Sequence, residues 1–286
     1  MAELGRPSLP ADLQQQVARA LHEDIGTGDV TAALVPPSQQ VRGHVVARES
    51  AVFCGRAWAE EAFRQLDPGV TLDWHCEDGD PFATGTVLLH IAGPARAVLT
   101  GERTALNFLQ TLCATATAAR QFVDAVAGTD CVILDTRKTL PGLRTAQKYA
   151  VRCGGASNHR MGLYDMVLVK ENHIVAAGTI AAAVAAARRL SPGVPVEVEV
   201  ESLAELDQAL SAHADIVMLD ELSLGELREA VSRARGTATK LEASGSVSLE
   251  NVRDIADTGV DFISVGGITK HVRAVDLSMR LEFPAG

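Results

Sequence analysis

The chain has 286 residues, 47% hydrophobic and 22% charged, which suits one large α/β domain or a barrel with a smaller companion and rules out a small stapled module. Its net charge of −10 gives no global attraction to phosphate backbones, and an aromatic share of 4% leaves little for base-stacking platforms, so a general nucleic-acid binder is excluded. The five cysteines (Cys54, Cys76, Cys113, Cys131 and Cys153) form no CxxC pair, which argues against a disulfide framework or a cysteine zinc site.

The start of the chain lacks the basic-then-apolar pattern of a signal peptide, and the alanine run Ala181–Ala187 is too short to span a bilayer. A soluble, cytoplasmic protein is expected. In chain order, Leu13, Val17, Ala20 and Leu21 recur at helical spacing after a start around Pro10–Asp12. Strand-like stretches follow at Val41–Ala47, Val70–His75 and Val87–Ile91, with a helix over Arg56–Leu66 stopped by Asp67-Pro68-Gly69. These elements read as a small α+β domain.

From about Gly101 the pattern changes to a long helix, Glu102 to about Ala127, rich in small residues. Short apolar strands then alternate with helices. The strands are Cys131–Leu134, Met166–Val169, Val196–Val200, Ile216–Leu219, Lys240–Ala243 and Phe262–Val265. Helices are expected over Leu143–Arg152, Thr179–Leu190, Leu203–Ala212, Leu224–Arg235 and Leu249–Thr258. Repeated β-then-α units with continuous apolar strands predict a parallel sheet covered on its outer face. The strands are fewer than a full (β/α)₈ barrel needs, leaving a doubly wound open sheet or a missed strand as alternatives.

Each predicted strand ends in residues suited to chemistry, the position where parallel α/β folds place their sites. Asp135-Thr136-Arg137-Lys138 follows the first and Lys170-Glu171-Asn172-His173 the second. The third carries Glu197, Glu199 and Glu201 on one face by strand alternation, which does not choose among them. The fourth ends in Asp220-Glu221, the fifth in Ser244-Gly245-Ser246 and the sixth in Gly266-Gly267.

Between Asp135 and Lys170 stand seven cations (Arg137, Lys138, Arg144, Lys148, Arg152, Arg160 and Lys170) against two acids, in a chain that is acidic overall. A local anion site accounts for that excess better than a solvated face, since Arg presents a fork matched to carboxylate or phosphate. Ser244-Gly245 and Gly266-Gly267, after the last two strands, suit a phosphate cradle or simple turns. Glu199 and Asp220 end successive strands and could share Mg²⁺ with a polyphosphate, or simply pair with nearby cations.

The run LDTRKTLPGLRTAQKYAVRCGGASNHRMGLYDMVLVKENHI (Leu134–Ile174) closely resembles the core signature of the quinolinate phosphoribosyltransferases. EDIGTGDVT, GERTALNFLQTLCATAT, VEVEVES, VMLDE, LEASGSV and ISVGGIT match the family in the same order, so the resemblance covers nearly the whole chain. It implies an N-terminal α/β sandwich (1–105, joined by the tail 270–286) and an open α/β barrel with fewer than eight strands (106–269) carrying most of the site. It implies a homodimer or larger assembly with shared sites. Arg137, His159, Arg160 and Lys170 then correspond to the quinolinate-binding cations, and Arg103 to the residue lent by a partner subunit.

By the same resemblance Lys138 lies between quinolinate and phosphoribosyl pyrophosphate, Glu199 and Asp220 lie near the ribose and Mg²⁺, and Ser244, Gly245, Gly266 and Gly267 belong to the 5′-phosphate loops. Glu171 replaces the aspartate usual at its position, and Thr269-Lys270-His271 departs from the common bacterial pattern. The implied reaction forms nicotinate mononucleotide, pyrophosphate and CO₂. Rivals are a Schiff-base lyase using Lys138 or Lys170, a phosphate-ligand sensor, and a same-fold paralogue such as nicotinate phosphoribosyltransferase or a molybdenum-transport-associated relative.

Overall fold

The computed structural model describes residues 7–283; the first six residues, part of the segment read for a signal peptide, and the last three of the tail lie outside it. The elements are α1 (Leu13–Ile25), β1 (Gln40–Ala47), β2 (Ala51–Val52), α2 (Arg56–Leu66), β3 (Thr71–Trp74), β4 (Pro81–Phe82), β5 (Val87–Pro94) and α3 (Ala95–Ala125). Then come β6 (Val132–Leu134), α4 (Arg144–Cys153), β7 (Val167–Val169), α5 (Glu171–Ala177), α6 (Ile180–Leu190), β8 (Val196–Val200), α7 (Leu203–Ser211) and β9 (Ile216–Asp220). The chain closes with α8 (Leu224–Ala234), β10 (Lys240–Ser244), α9 (Val252–Ala256), β11 (Phe262–Ser264), α10 (Gly267–Lys270) and β12 (Leu277–Glu282).

Two compact units emerge. One comprises the described parts of Met1–Arg120, Leu140–Gly155 and His271–Gly286; the other comprises Gln121–Thr139 and Ala156–Lys270. In the first, a four-stranded sheet runs β12-β1-β5-β3, every pair antiparallel. The tail strand β12 pairs with β1 from Arg42↔Glu282 to Ala47↔Leu277. Val41, Val45, Leu89 and Ile91 from this sheet join Trp58, Phe63, Val98, Leu109 and Leu112 in a core that gathers six aromatic side chains, Phe53, Trp58, Phe63, Phe82, Phe108 and Tyr149. Trp58 is buried against the Tyr149 ring and donates its indole N–H to Gln16 at 2.8 Å, satisfying its one polar atom.

Gly101, where the sequence pattern changes, sits inside α3 and not at its start. A Cβ there would lie 2.8 Å from Phe63 and Leu66, so the glycine serves the close approach of α3 to α2 while the helix begins at Ala95, directly after Pro94.

The second unit holds a six-stranded parallel sheet, ordered β6-β11-β10-β9-β8-β7. Register fixes its two faces. One carries Ile133, Val169, Val198, Leu219, Ala243 and Ile263, all buried; α6 to α9 turn Val184, Leu206, Leu227 and Ile255 inward beside it. The other carries Glu197, Glu199, Met218, Asp220, Glu242, Ser244 and Ser264. An apolar outer face and a polar inner one are what an α/β barrel wall requires.

The six strands stand where alternation placed them. Lys170-Glu171-Asn172-His173 follows the end of β7 as expected and leads straight into α5, a helix not among those expected. The Lys170 N–H donates to His173 Nδ1 at 3.0 Å and satisfies a backbone group at that turn. Among the described residues no single helix is long and apolar enough to cross a membrane.

Candidate active site

The strand that opens the second unit organises the site. Beyond β6, Ser157 bridges Leu134 in parallel, and its N–H donates to Ile133 O at 2.8 Å. Asp135 is fully buried and accepts from the His159 N–H at 2.9 Å and from Asn158 Nδ2 at 2.6 Å. At the far end of this segment Asp165 accepts from the backbone N–H groups of Met161 and Gly162, leading the chain into β7. Residues 157–166 therefore span the gap between the two edge strands.

His159 is carried inward by this arrangement. Its Nε2 lies 2.9 Å from Glu197 Oε2 on β8 and 3.4 Å from Glu242 Oε2 on β10, all three side chains being buried. Nδ1 accepts the Arg160 N–H at 2.7 Å, which assigns the ring proton to Nε2, facing the carboxylates. Burial first, and repulsion from Glu197 second, push the Glu242 carboxyl up to about 8. Glu242 is thus protonated at neutral pH, and His159 is positioned from below instead of facing open space.

The cations read from the sequence fall into both units. Arg137 and Arg160 come together in the second: the Arg160 guanidinium is lowered from its ordinary value by burial and next by the positive charge of Arg137. Arg137 Nε is buried without a hydrogen-bond acceptor among the described residues. Lys138 is exposed; its carbonyl accepts from Thr269 Oγ1 at 2.9 Å, and its stem runs over Gly266, where a Cβ would stand 2.9 Å from Lys138 Cδ. Arg103, exposed on α3, and Arg144, Lys148 and Arg152 of α4 belong to the first unit, with Lys148 fully buried.

The three glutamates of β8 take three different places. Glu197 is buried beneath His159, Glu199 forms an ion pair with Lys170, and Glu201 is exposed. Asp220 shares the inner face with Glu199, because Met218, its neighbour two residues back, pairs with Glu199 in register. Asp220 has no ion-pair partner among the described residues. The pair at the strand ends, half-buried oxygen donors with a free carboxylate, fits a hard cation whose remaining ligands come from a polyphosphate; the buried His159 cluster, with a nitrogen donor, does not.

At the ends of β9 and β10 the backbone turns through three left-handed residues, Glu221 (φ 54°), Gly245 (φ 100°) and Ser246 (φ 43°). Ser246 Oγ donates to Glu221 Oε1 at 2.9 Å, and a Cβ at Gly245 would meet the Glu221 side chain at 2.5 Å. Such strain in two non-glycine residues is held only where surrounding contacts over-determine it, and it marks this loop as shaped for a ligand. A cavity of about 310 Å³ opens beside it, lined by Glu221, Ser223, Ser244, Gly245, Ser246 and Asn251.

Sequence reasoning did not single out Glu242 or Asp135's anchoring bonds. Glu242 was detectable: alternation along Lys240–Ser244 puts it on the face of Ser244, one strand from Asp220. The pairing with His159 left no local trace.

A sheet with an apolar helix-covered face, a polar face lined by carboxylates and cations, and a strained loop at its carboxyl edge defines an α/β barrel with its candidate site at the strand ends. Residues 29–113 match the N-terminal domain, and residues 115–280 the C-terminal domain, of the family described as quinolinate phosphoribosyl transferase; the chain belongs to that family. It is 43% identical over 274 residues to a nicotinate-nucleotide pyrophosphorylase [carboxylating] of Mycobacterium leprae, covering 93% of this chain and 95% of that protein. It is 37% identical to a quinolinate phosphoribosyltransferase [decarboxylating] of Nicotiana tabacum, covering 95% and 83%. The solved nicotinate-nucleotide pyrophosphorylase of Francisella tularensis superposes with a TM-score of 0.91 at 45% identity, covering 97% of this chain and 99% of that one.

Proposed function

We propose that this enzyme transfers the phosphoribosyl group of phosphoribosyl pyrophosphate to quinolinate with loss of CO₂, giving nicotinate mononucleotide and pyrophosphate for de novo NAD synthesis. The observation that carries the reading is the meeting of Arg137 and Arg160, one with a buried donor lacking an acceptor and the other depressed by its neighbour's charge. Such a pair is unfavourable by itself and favourable around a dianion. The names of the similar enzymes support the same substrate.

In this mechanism Arg137, Arg160 and Lys170 hold the quinolinate carboxylates, while His159, locked by Glu197, Glu242 and Asp135, sets the shape beneath them. Lys138 lies toward the leaving pyrophosphate. Glu199 and Asp220 face the ribose, where negative charge offsets the oxocarbenium character that builds as the C1–oxygen bond breaks. Mg²⁺, bound by these two and by diphosphate oxygens, would supply Lewis-acid neutralisation of the leaving group. Ser244, Gly245, Gly266 and Gly267 receive the 5′-phosphate. After the ring nitrogen attacks C1 it is cationic; the 2-carboxylate then leaves as CO₂, its electron pair stays at C2 as a carbanion stabilised by the adjacent cationic nitrogen, and C2 takes a proton from water.

No covalent nucleophile is needed, so positioning carries much of the acceleration. Arg103, on the other unit, completes the site of a neighbouring subunit in a cytoplasmic homodimer.

Turnover tests this directly. With phosphoribosyl pyrophosphate and Mg²⁺, quinolinate should yield mononucleotide and equimolar CO₂. Nicotinate, lacking the 2-carboxylate, should be slower by about 10⁴-fold, because it leaves buried cations unpaired. Product from nicotinate alone would assign the sister activity, and silence with both substrates would overturn the reading.

A further inference from the structure

Three of the chain's eight histidines, none of them given a role above, stand together on the first unit's antiparallel sheet. In register across the strands lie Arg280 on β12, His44 on β1, His90 on β5 and Asp73 on β3. His75, two residues past Asp73, continues the β3 pairing by donating its N–H to Leu88 O at 2.9 Å, so its side chain shares the face of Asp73. Asp73, His75 and His90 are all exposed.

Their ligating atoms converge. Asp73, His75 and His90 each present one donor atom within 4.8 Å of the others, and His75 Nε2 lies 2.7 Å from His90 Nδ1. The His44 ring centroid is 6.1 Å from that of His90, next along the same row. Two imidazoles, hydrogen-bonded to each other, and a carboxylate stand on paired strands, so the backbone share of the ordering cost is already met before binding.

The chemistry of that set selects the ion. Imidazole nitrogen with a single carboxylate oxygen suits Zn²⁺ or Ni²⁺, whereas Mg²⁺ and Ca²⁺ require oxygen ligands. Two other clusters contrast with it. His159, Glu197 and Glu242 are buried and serve the barrel interior. Cys54, Cys153 and Asp78 are no better: Asp78 is already occupied by the N–H groups of Gly55 and Arg56 and by the Tyr149 hydroxyl, and burial drives the Cys54 thiol far above its usual range.

We infer that Asp73, His75 and His90, with His44 beside them, form a surface site for a borderline divalent transition metal of the zinc type, clasping β3 to β5 and separate from the Mg²⁺ used in catalysis. The ion bridges two paired strands and so favours the folded unit.

The test is calorimetric titration of Zn²⁺ into chelator-treated full-length protein in excess Mg²⁺, with thermal melts alongside. One Zn²⁺ per chain should bind saturably and raise the melting temperature. His90→Ala should weaken binding by about tenfold or more, a floor set by what even an outer-shell partner contributes. The double variant His75→Ala/His90→Ala should abolish both binding and the melting shift. Because these side chains are exposed, the variants should keep the melting temperature of the metal-free wild type and turn over quinolinate normally. Absence of saturable binding, or binding unchanged in the double variant, would overturn the proposal, while the catalytic reading would stand untouched.

Discussion

His159 touches Glu197 across 2.9 Å although their supporting strands are far apart in the sheet. His159 is anchored beside β6, and Glu197 is on β8, with β11, β10 and β9 between in sheet order. On a flat sheet β6 and β8 would be roughly 19 Å apart, from a strand spacing of about 4.8 Å, well beyond the reach of an imidazole. The contact is therefore made across the interior, where Glu242 of β10 also meets His159 at 3.4 Å, and it shows that the sheet curls into a barrel whose gap residues 157–166 span.

Glu242, raised to about 8 by burial and by Glu197, gives this interior a pH signature. Its folded-state value lies above the unfolded one, so the stability linked to its proton is fully present below the unfolded value near 4.5 and is lost as pH rises through about 8. Urea midpoints should fall between about pH 5 and pH 8 in the wild type, level off above, and fall less in Glu242→Gln. Equal declines in both would place the sensitivity elsewhere.

Asp135 holds His159 through the backbone. Asp135→Ala leaves the buried His159 N–H without this acceptor and should cost about 1–3 kcal/mol of stability, while disturbing the site above. Chemical denaturation together with quinolinate turnover reads both effects. A fully active variant of wild-type stability would show that the anchor is dispensable.

Gly266 has ordinary negative-φ or extended backbone, so alanine is permitted there, but the added Cβ would stand 2.9 Å from Lys138 Cδ. Displacing the Lys138 stem by about an ångström should lower kcat by about 10²-fold with little change in melting temperature. Unchanged kcat would remove Lys138 from the transition-state contacts.

Arg137 and Arg160 repel in the absence of a dianion. Arg137→Gln should abolish thermal stabilisation by quinolinate while leaving the melting temperature of the free protein equal or higher, the usual relation between a strained site and stability. A large loss of free-protein stability would instead make Arg137 a structural residue.

Arg103 lies on α3 in the first unit, apart in the chain from the barrel cations. Arg103→Ala and Lys138→Ala should each fold and each be inactive. Mixing the two should recover activity through hybrid sites, whereas no recovery after subunit exchange would deny a shared site.

Much was legible in the chain because local periodicity fixes it. Apolar strands alternating with helices predict the parallel sheet, and strict alternation in VEVEVES puts Glu197 and Glu199 on one face. Of the seven cations from Arg137 to Lys170, Arg144, Lys148 and Arg152 fold with the first unit, which the linear run does not show. Helix α5 escapes the sequence reading because its seven residues, Glu171–Ala177, are too few to display a helical period. What alternation could not decide was the fate of each glutamate. Glu197 and Glu199 share the inner face, but Glu197 is buried beneath His159, Glu199 pairs with Lys170 nearer the strand end, and Glu201 lies past it in solvent. That choice, like the protonation of Glu242 and the meeting of Arg137 with Arg160, depends on burial and on charges brought together from distant parts of the chain, and only the closed tertiary structure supplies both.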